Sequence, residues 1–75
     1  MERYRNLGGD SGVTAYELGT NSIVVQFKDG WKYEYAGQSA GTAAITTLHR
    51  LAKAGQGLNS FISTTVRKSY SRKFL

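Results

Sequence analysis

The segment Gly37-Gln38-Ser39-Ala40-Gly41 has the G-x-S-x-G spacing of a nucleophile elbow, in which a sharp turn exposes a serine for acyl transfer. Such a serine needs a histidine as general base and a carboxylate that orients the histidine. His49 is the one histidine of the chain, and no acidic side chain follows Glu34. We therefore predict a glycine-rich turn in which Ser39 caps a helix, in a protein that is not an enzyme.

The chain contains few residues of the types that bind metal ions. One histidine, no cysteine and five scattered acidic residues predict no metal site, and we expect no cofactor. Without cysteine there is also no indication of an oxidising compartment. Residues 1–6 lack the apolar centre of a signal peptide, and no apolar run is long enough to span a membrane. We expect a cytoplasmic protein with no membrane partner.

Basic residues are concentrated in the second half of the chain. Residues 1–37 hold four Lys or Arg and five Asp or Glu, whereas residues 38–75 hold six Lys or Arg and no acid. This asymmetry favours a polyanionic partner, RNA or another polyanion. The alternative is a solvated face with cations near helix C-termini, where the helix dipole favours them. The candidate contacts are Arg50, Lys53, Arg67, Lys68, Arg72 and Lys73, with Lys32 from the first half.

A second candidate for anion binding is the segment Gly55-Gln56-Gly57-Leu58-Asn59, which opens a predicted helix. Backbone N–H groups at a helix N-terminus attract phosphate, and Arg50 and Lys53 precede them in sequence. Gly57 and Asn59 therefore join the candidate binding residues. The alternative is a turn that Asn59 caps, with nothing bound.

The stretch from Ile23 to Tyr35 predicts a β-hairpin around Asp29-Gly30. A three-residue loop places Ile23 opposite Tyr35 and Val25 opposite Tyr33, so that the large apolar side chains share one face. Trp31, Tyr33 and Tyr35 alternate with Lys32 and Glu34, which is also typical of a base-stacking surface. The shared face instead places Trp31 and Tyr33 in the core, with the hydroxyl of Tyr35 at the rim.

The remaining strands and helices are predicted from the spacing of apolar residues along the chain. Val13 to Leu18 predicts a first strand, and helical spacing of apolar residues predicts one helix that ends at Ala54-Gly55 and another after Asn59. The predicted fold is α+β: a three-stranded antiparallel meander followed by a two-helix hairpin packed on one sheet face, β-β-β-α-α. Residues 1–11 form a flexible leader, 12–70 a single domain and 71–75 a basic tail.

The pattern Phe27-x-x-Gly30-x-x-Tyr33-x-Tyr35, followed by Gly55-x-Gly57-Leu58-Asn59-x-x-Ile62, resembles the KTSC domain. This family is named from the C-terminal extension of some lysyl-tRNA synthetases and also includes small free-standing bacterial and phage proteins. The resemblance covers about residues 12–70. Relatives often carry a proline after the Tyr-x-Tyr strand, where this chain has Gly37-Gln38-Ser39. The resemblance implies RNA binding only through the attachment to a tRNA-charging enzyme, and it assigns no functional residue.

Two functions are therefore expected from the sequence. One is a small non-catalytic RNA-binding module that uses phosphate contacts of its basic half, which requires the cations to share a face. The other is a phage or bacterial protein-interaction or accessory module with no nucleic-acid binding, which an exposed cluster of Tyr16, Tyr35 and Phe74 would favour. We expect a monomer or a weak dimer.

Overall fold

The structure is a computed structural model that describes residues 1–9 and 11–75; Asp10, within the predicted leader, lies outside the described residues. One antiparallel sheet contains five strands in the order of the chain, and the helical segments lie between the fourth strand and the fifth. The elements are β1 (Glu2–Arg3), β2 (Val13–Gly19), β3 (Ser22–Phe27), β4 (Lys32–Ala36), α1 (Gly37–Ala40), α2 (Thr42–Ala54), α3 (Leu58–Phe61), a π-helical turn (Ile62–Val66) and β5 (Arg72–Phe74).

The β3–β4 hairpin has the predicted register. Ile23 pairs with Tyr35 and Val25 with Tyr33. The loop closes through hydrogen bonds from the Phe27 N–H to the Trp31 carbonyl (2.9 Å) and from the Gly30 N–H to the Phe27 carbonyl (2.9 Å). Gly30 has a φ of +91°, a conformation that glycine adopts without the steric cost of a Cβ atom. The three-residue loop is therefore confirmed.

A β-bulge at Thr14 adjusts the first long strand to the core. Val13 pairs with Phe27 but Ala15 pairs with Gln26, so Thr14 is an extra residue in β2. Val13 and Tyr16 consequently both lie on the buried face, although their spacing of three would place them on opposite faces of a regular strand.

The core lies between the sheet and the helical segments. Ile23, Val25 and Tyr35 of the sheet are almost completely buried, and the helical layer covers them with apolar residues at helical spacing. These covering residues are Ile45, Leu48 and Ala52 of α2, Leu58 of α3, and Ile62 and Val66 of the π-helical turn. Gly55, with a φ of +79°, ends α2 as predicted.

The N-terminal segment is attached to both layers. Tyr4 is 4% exposed, its N–H donates to the Thr14 carbonyl (3.0 Å), and its hydroxyl accepts the N–H of Leu58 (3.3 Å). The Leu7 N–H donates to the Gly55 carbonyl (2.7 Å). These contacts join β1 and the following residues to the loop between α2 and α3.

The predicted layout of three strands and two helices is wrong. The structure has five strands and three α-helices, because residues assigned to the leader and the tail form β1 and β5 at the two edges of the sheet. Both edge strands are short and mostly charged, so they lack the apolar alternation by which strands are recognised in sequence. The predicted second helix is divided into α3 and the π-helical turn.

Candidate functional site

An open groove lies between the β3–β4 turn and the chain from α3 to Tyr70. Its volume is about 550 Å³, which falls in the range of ligand sites in proteins. Apolar and aromatic side chains line it together with a few polar and charged groups. The lining residues are Phe27, Asp29, Tyr33, Tyr35, Asn59, Ile62, Ser63, Arg67, Lys68 and Tyr70.

The aromatic wall of the groove consists of interlocked rings. The ring centroid of Tyr33 lies 5.3 Å from that of Phe27 and 5.0 Å from that of Tyr70, and both pairs meet edge to face. This geometry is the favourable one for aromatic pairs, so the rings hold one another in place. Phe27, Tyr33 and Tyr70 are half-buried and present part of their surface to the groove.

Tyr35 lies at the base of this wall. It is 1% exposed and still lines the groove, whereas Trp31 and Tyr33 are half-buried. The prediction that Trp31 belongs to the core is wrong, because Trp31 lies outside the core cluster, whereas Tyr33 packs against that cluster. Burial, with smaller contributions from the neighbouring Tyr33 and Tyr70, raises the pKa of Tyr35 to about 12.

The basic rim of the groove comes from the residues after the π-helical turn. Ile62 and Val66 are buried and anchor this turn, and exposed Arg67 and Lys68 follow it directly. Among residues 1–9 and 11–75 the one ion pair joins Arg72 to Glu34, so neither rim cation is neutralised by a carboxylate of the described chain. π-helical turns are rare and often occur at functional sites.

Lys73 lies over the rings beside the groove. It pairs with Tyr33 across β4 and β5, and its Nζ is 4.7 Å from the ring centroid of Trp31 and 5.3 Å from that of Tyr33. These are cation–π distances. β5 thus adds a third cation to the aromatic wall.

The predicted binding residues do not gather on one face. Asn59, Arg67 and Lys68 line the groove, and Lys73 lies beside it. Arg50 and Lys53 belong to α2, and Lys53 instead lines a pocket with Glu2 and Glu17. Arg72 and Lys32 lie on the other sheet face from Lys73, where Arg72 Nε is 2.6 Å from Glu34 Oε1 and both cations approach the ring of Phe74. The structure therefore divides the cations into separate groups, and the single basic face that the RNA-binding prediction required is not present in the described chain.

The Gly55 and Leu58 N–H groups of the glycine-rich segment before α3 are engaged within the fold. The Gly55 N–H donates to the Leu51 carbonyl (3.0 Å), and the Leu58 N–H donates to the hydroxyl of Tyr4. Gly57 lines a smaller cavity of about 170 Å³ together with Tyr4 and Asn59. α3 itself has only four residues. The bond from Leu58 to Tyr4 joins this segment to the N-terminal segment.

Ser39 and His49, which the sequence analysis considered for catalysis, make structural contacts. Ser39 lies inside α1, not before a helix as predicted; its Oγ accepts the Ala36 N–H (3.2 Å) and donates to the Ala36 carbonyl (3.1 Å). His49 Nε2 lies 2.7 Å from the Ser22 carbonyl, which makes this nitrogen the protonated one. The residues 1–9 and 11–75 contain no group of three or more His, Cys, Asp or Glu side chains that could hold a metal ion.

Other expected surface features can also be placed. Tyr16 and Tyr35 are buried, so they do not form an exposed cluster with Phe74. The longest helix in the described part of the chain, α2, has 13 residues, and no helix there has the length and apolar character needed to cross a bilayer.

Seven groove residues were not among the candidate binding residues of the sequence: Phe27, Asp29, Tyr33, Tyr35, Ile62, Ser63 and Tyr70. Phe27 and Asp29 have sufficient local explanations as a core residue and a turn residue, and Tyr70 lies in a segment without periodicity. No local signal shows that the turn at Asp29 meets the chain near Arg67, because that meeting depends on how the helical layer packs.

Comparisons with known proteins add no family to this geometry. No protein-family model, no curated protein and no solved structure matches the chain. The resemblance to the KTSC domain therefore stays a prediction.

Proposed function

We propose that this protein is a non-catalytic module that binds single-stranded RNA in the aromatic groove. The observation that carries the proposal is the meeting of half-buried aromatic rings with Arg67 and Lys68 in one groove. Bases of single strands stack on aromatic side chains, and cations beside the rings hold the phosphates. The groove supplies both within one site, whereas the pocket that Lys53 lines contains two carboxylates, Glu2 and Glu17, and the buried Tyr16.

The size of the groove limits the footprint on the nucleic acid. Two rim cations, with Lys73 beside them, correspond to two or three phosphates. For a single strand each neutralised phosphate contributes about 0.7 to the slope of log K against log salt, so Arg67 and Lys68 together account for about 1.4. We therefore expect the protein to contact only a few nucleotides, with a moderate affinity that falls as the salt concentration rises.

The test compares two charge-matched double variants. Fluorescence anisotropy with a labelled eight-nucleotide RNA is measured between about 50 and 200 mM salt. Arg67→Ala/Lys68→Ala is expected to weaken binding about tenfold at low salt and to reduce the slope by about 1.4. Arg50→Ala/Lys53→Ala removes the same charge from α2 and is expected to change the affinity by less than about twofold.

Two results would contradict the proposal. Equal losses in the two double variants would show that affinity depends on net charge and not on the groove. No binding by the unmodified protein at low salt would remove nucleic acid as the partner and leave the protein-interaction module as the function to pursue. A protein partner could then pair with the outer edge of β1 or β5. Both edge strands carry charged residues, which disfavour such pairing.

A further inference from the structure

Asp29 is the one carboxylate among the residues that line the groove. It belongs to the β3–β4 turn, where its Oδ1 accepts the N–H of Trp31 (3.0 Å). This bond uses one of about four acceptor positions of the carboxylate. In the described part of the chain no side chain donates a hydrogen bond to the other oxygen and no cation forms an ion pair with Asp29.

A carboxylate is an unfavourable neighbour for phosphate, because the two carry charge of the same sign. Its chemistry suits a different part of a nucleotide. An ionised carboxylate only accepts hydrogen bonds, so it recognises base edges that donate. Unpaired bases of RNA are commonly read on their Watson–Crick edges while they stack on aromatic side chains.

The four bases differ in what that edge offers to a carboxylate. Guanine presents two adjacent donors, N1–H and the 2-amino group, which match two carboxylate oxygens. Adenine and cytosine each present one amino donor beside a ring-nitrogen acceptor, and uracil presents one N–H between two carbonyl acceptors. An acceptor beside the carboxylate is repelled, so guanine is the base that fits this group best.

We propose that the groove selects an unpaired guanine, with Asp29 accepting hydrogen bonds from its Watson–Crick edge. This inference rests on the proposed function, because it assigns the base that the same groove takes. The aromatic wall carries the ring of the base, and Arg67 and Lys68 contact the adjoining phosphates. Asp29 thereby supplies the specificity that stacking and phosphate contacts lack.

The experiment changes one base at a time. Anisotropy is measured with labelled U8 RNA and with the same strand carrying a single central G, A, C or inosine, for the unmodified protein and for Asp29→Asn. Asparagine retains a side-chain oxygen for the Trp31 N–H, so the turn is preserved while the carboxylate is lost. The unmodified protein is expected to bind the G strand about fivefold more tightly than the A or C strand. Inosine, which lacks the 2-amino group, is expected to lie between them.

Asp29→Asn is expected to reduce the preference for guanine to less than about twofold while binding U8 at least as tightly as the unmodified protein, since a negative charge has been removed. The base comparison with the unmodified protein is itself a test, so the result does not depend on the folding of the variant. Equal binding of all five strands, or a guanine preference that survives in Asp29→Asn, would overturn this inference. If U8 still binds through Arg67 and Lys68 in that case, the proposed function stands; if no strand binds, both fail.

Discussion

At the scale of single residues, Tyr35 couples the hydrophobic core to the groove. Its ring is buried against Ile23 and the helical layer, yet it lines the groove below Tyr33 and Tyr70. A phenol in this position favours its neutral form, because burial disfavours the phenolate. The pKa of Tyr35, raised by burial from its ordinary value of 10.0 to about 12, therefore has a consequence for stability at high pH.

Tyr35→Phe is expected to remove part of the alkaline destabilisation. Between pH 10 and 12 the unfolded chain loses the Tyr35 proton while the folded chain keeps it, so the unfolded state binds fewer protons and the free energy of unfolding falls as pH rises. A rise of about two pKa units corresponds to about 2–3 kcal/mol, present below pH 10 and lost by about pH 12. Urea unfolding of both proteins from pH 8 to pH 11.5 measures the difference. Parallel stability curves over this range would contradict the expectation.

At the scale of elements, the β3–β4 hairpin was predictable and the sheet edges were not. The large side chains that share one face on the two sides of Asp29-Gly30, such as Ile23 and Tyr35, determine the loop and its register locally. β1 and β5 depend on pairing with distant strands, and their charged residues carry no signal of it. The bulge at Thr14 could not be predicted either. Nothing in the local sequence indicates that Val13 and Tyr16 both face the core, which is the arrangement that the bulge produces.

The candidate site likewise contains residues that could be predicted from local sequence and residues that could not. Arg67, Lys68 and Asn59 were recognisable from charge and sequence position as possible contacts. The aromatic wall was not, since the pairing of Tyr33 with Tyr70 joins two segments separated by the whole helical layer. The π-helical turn also contributes: it accommodates an extra residue per turn, so a helical wheel does not place Arg67 correctly.

Removal of residues 72–75 tests how much β5 contributes. The truncated protein is expected to remain folded and to lose about 1–2 kcal/mol of unfolding free energy, because β5 adds few hydrogen bonds and the half-buried ring of Phe74. Ser71, which bonds the Glu34 carbonyl, is retained. Urea unfolding measures the loss, with Phe74→Ala in the full chain as the control, expected to account for about half of it. A chain that lacks native circular dichroism after truncation would contradict this view of β5.

At the scale of the whole molecule, stability is expected to decrease from the middle of the sheet to its edges. β3 pairs on both sides, and Ile23 and Val25 are completely buried. β1 and β5 pair on one side within the described chain and have two and three residues. The fold is therefore centred on β3 and the helices that cover it.

Hydrogen exchange measures this gradient directly. Amides of β3 are expected to exchange at least about tenfold more slowly than those of β1 and β5, because edge strands open without unfolding of the core. NMR detection resolves individual amides, and α2 serves as an internal reference for the helical layer. Uniform protection across all five strands would show instead that the sheet opens as a single unit.

Lys73 has a consequence for how the groove is filled. The ammonium of Lys73 lies over the rings of Trp31 and Tyr33, so the chain itself covers part of this aromatic surface. If RNA binds as proposed, a base that stacks on the ring of Tyr33 displaces the ammonium of Lys73 from that ring, and β5 keeps the ammonium near the adjoining phosphate. Lys73 then changes from a cation that covers an aromatic ring into a cation that pairs with the bound strand.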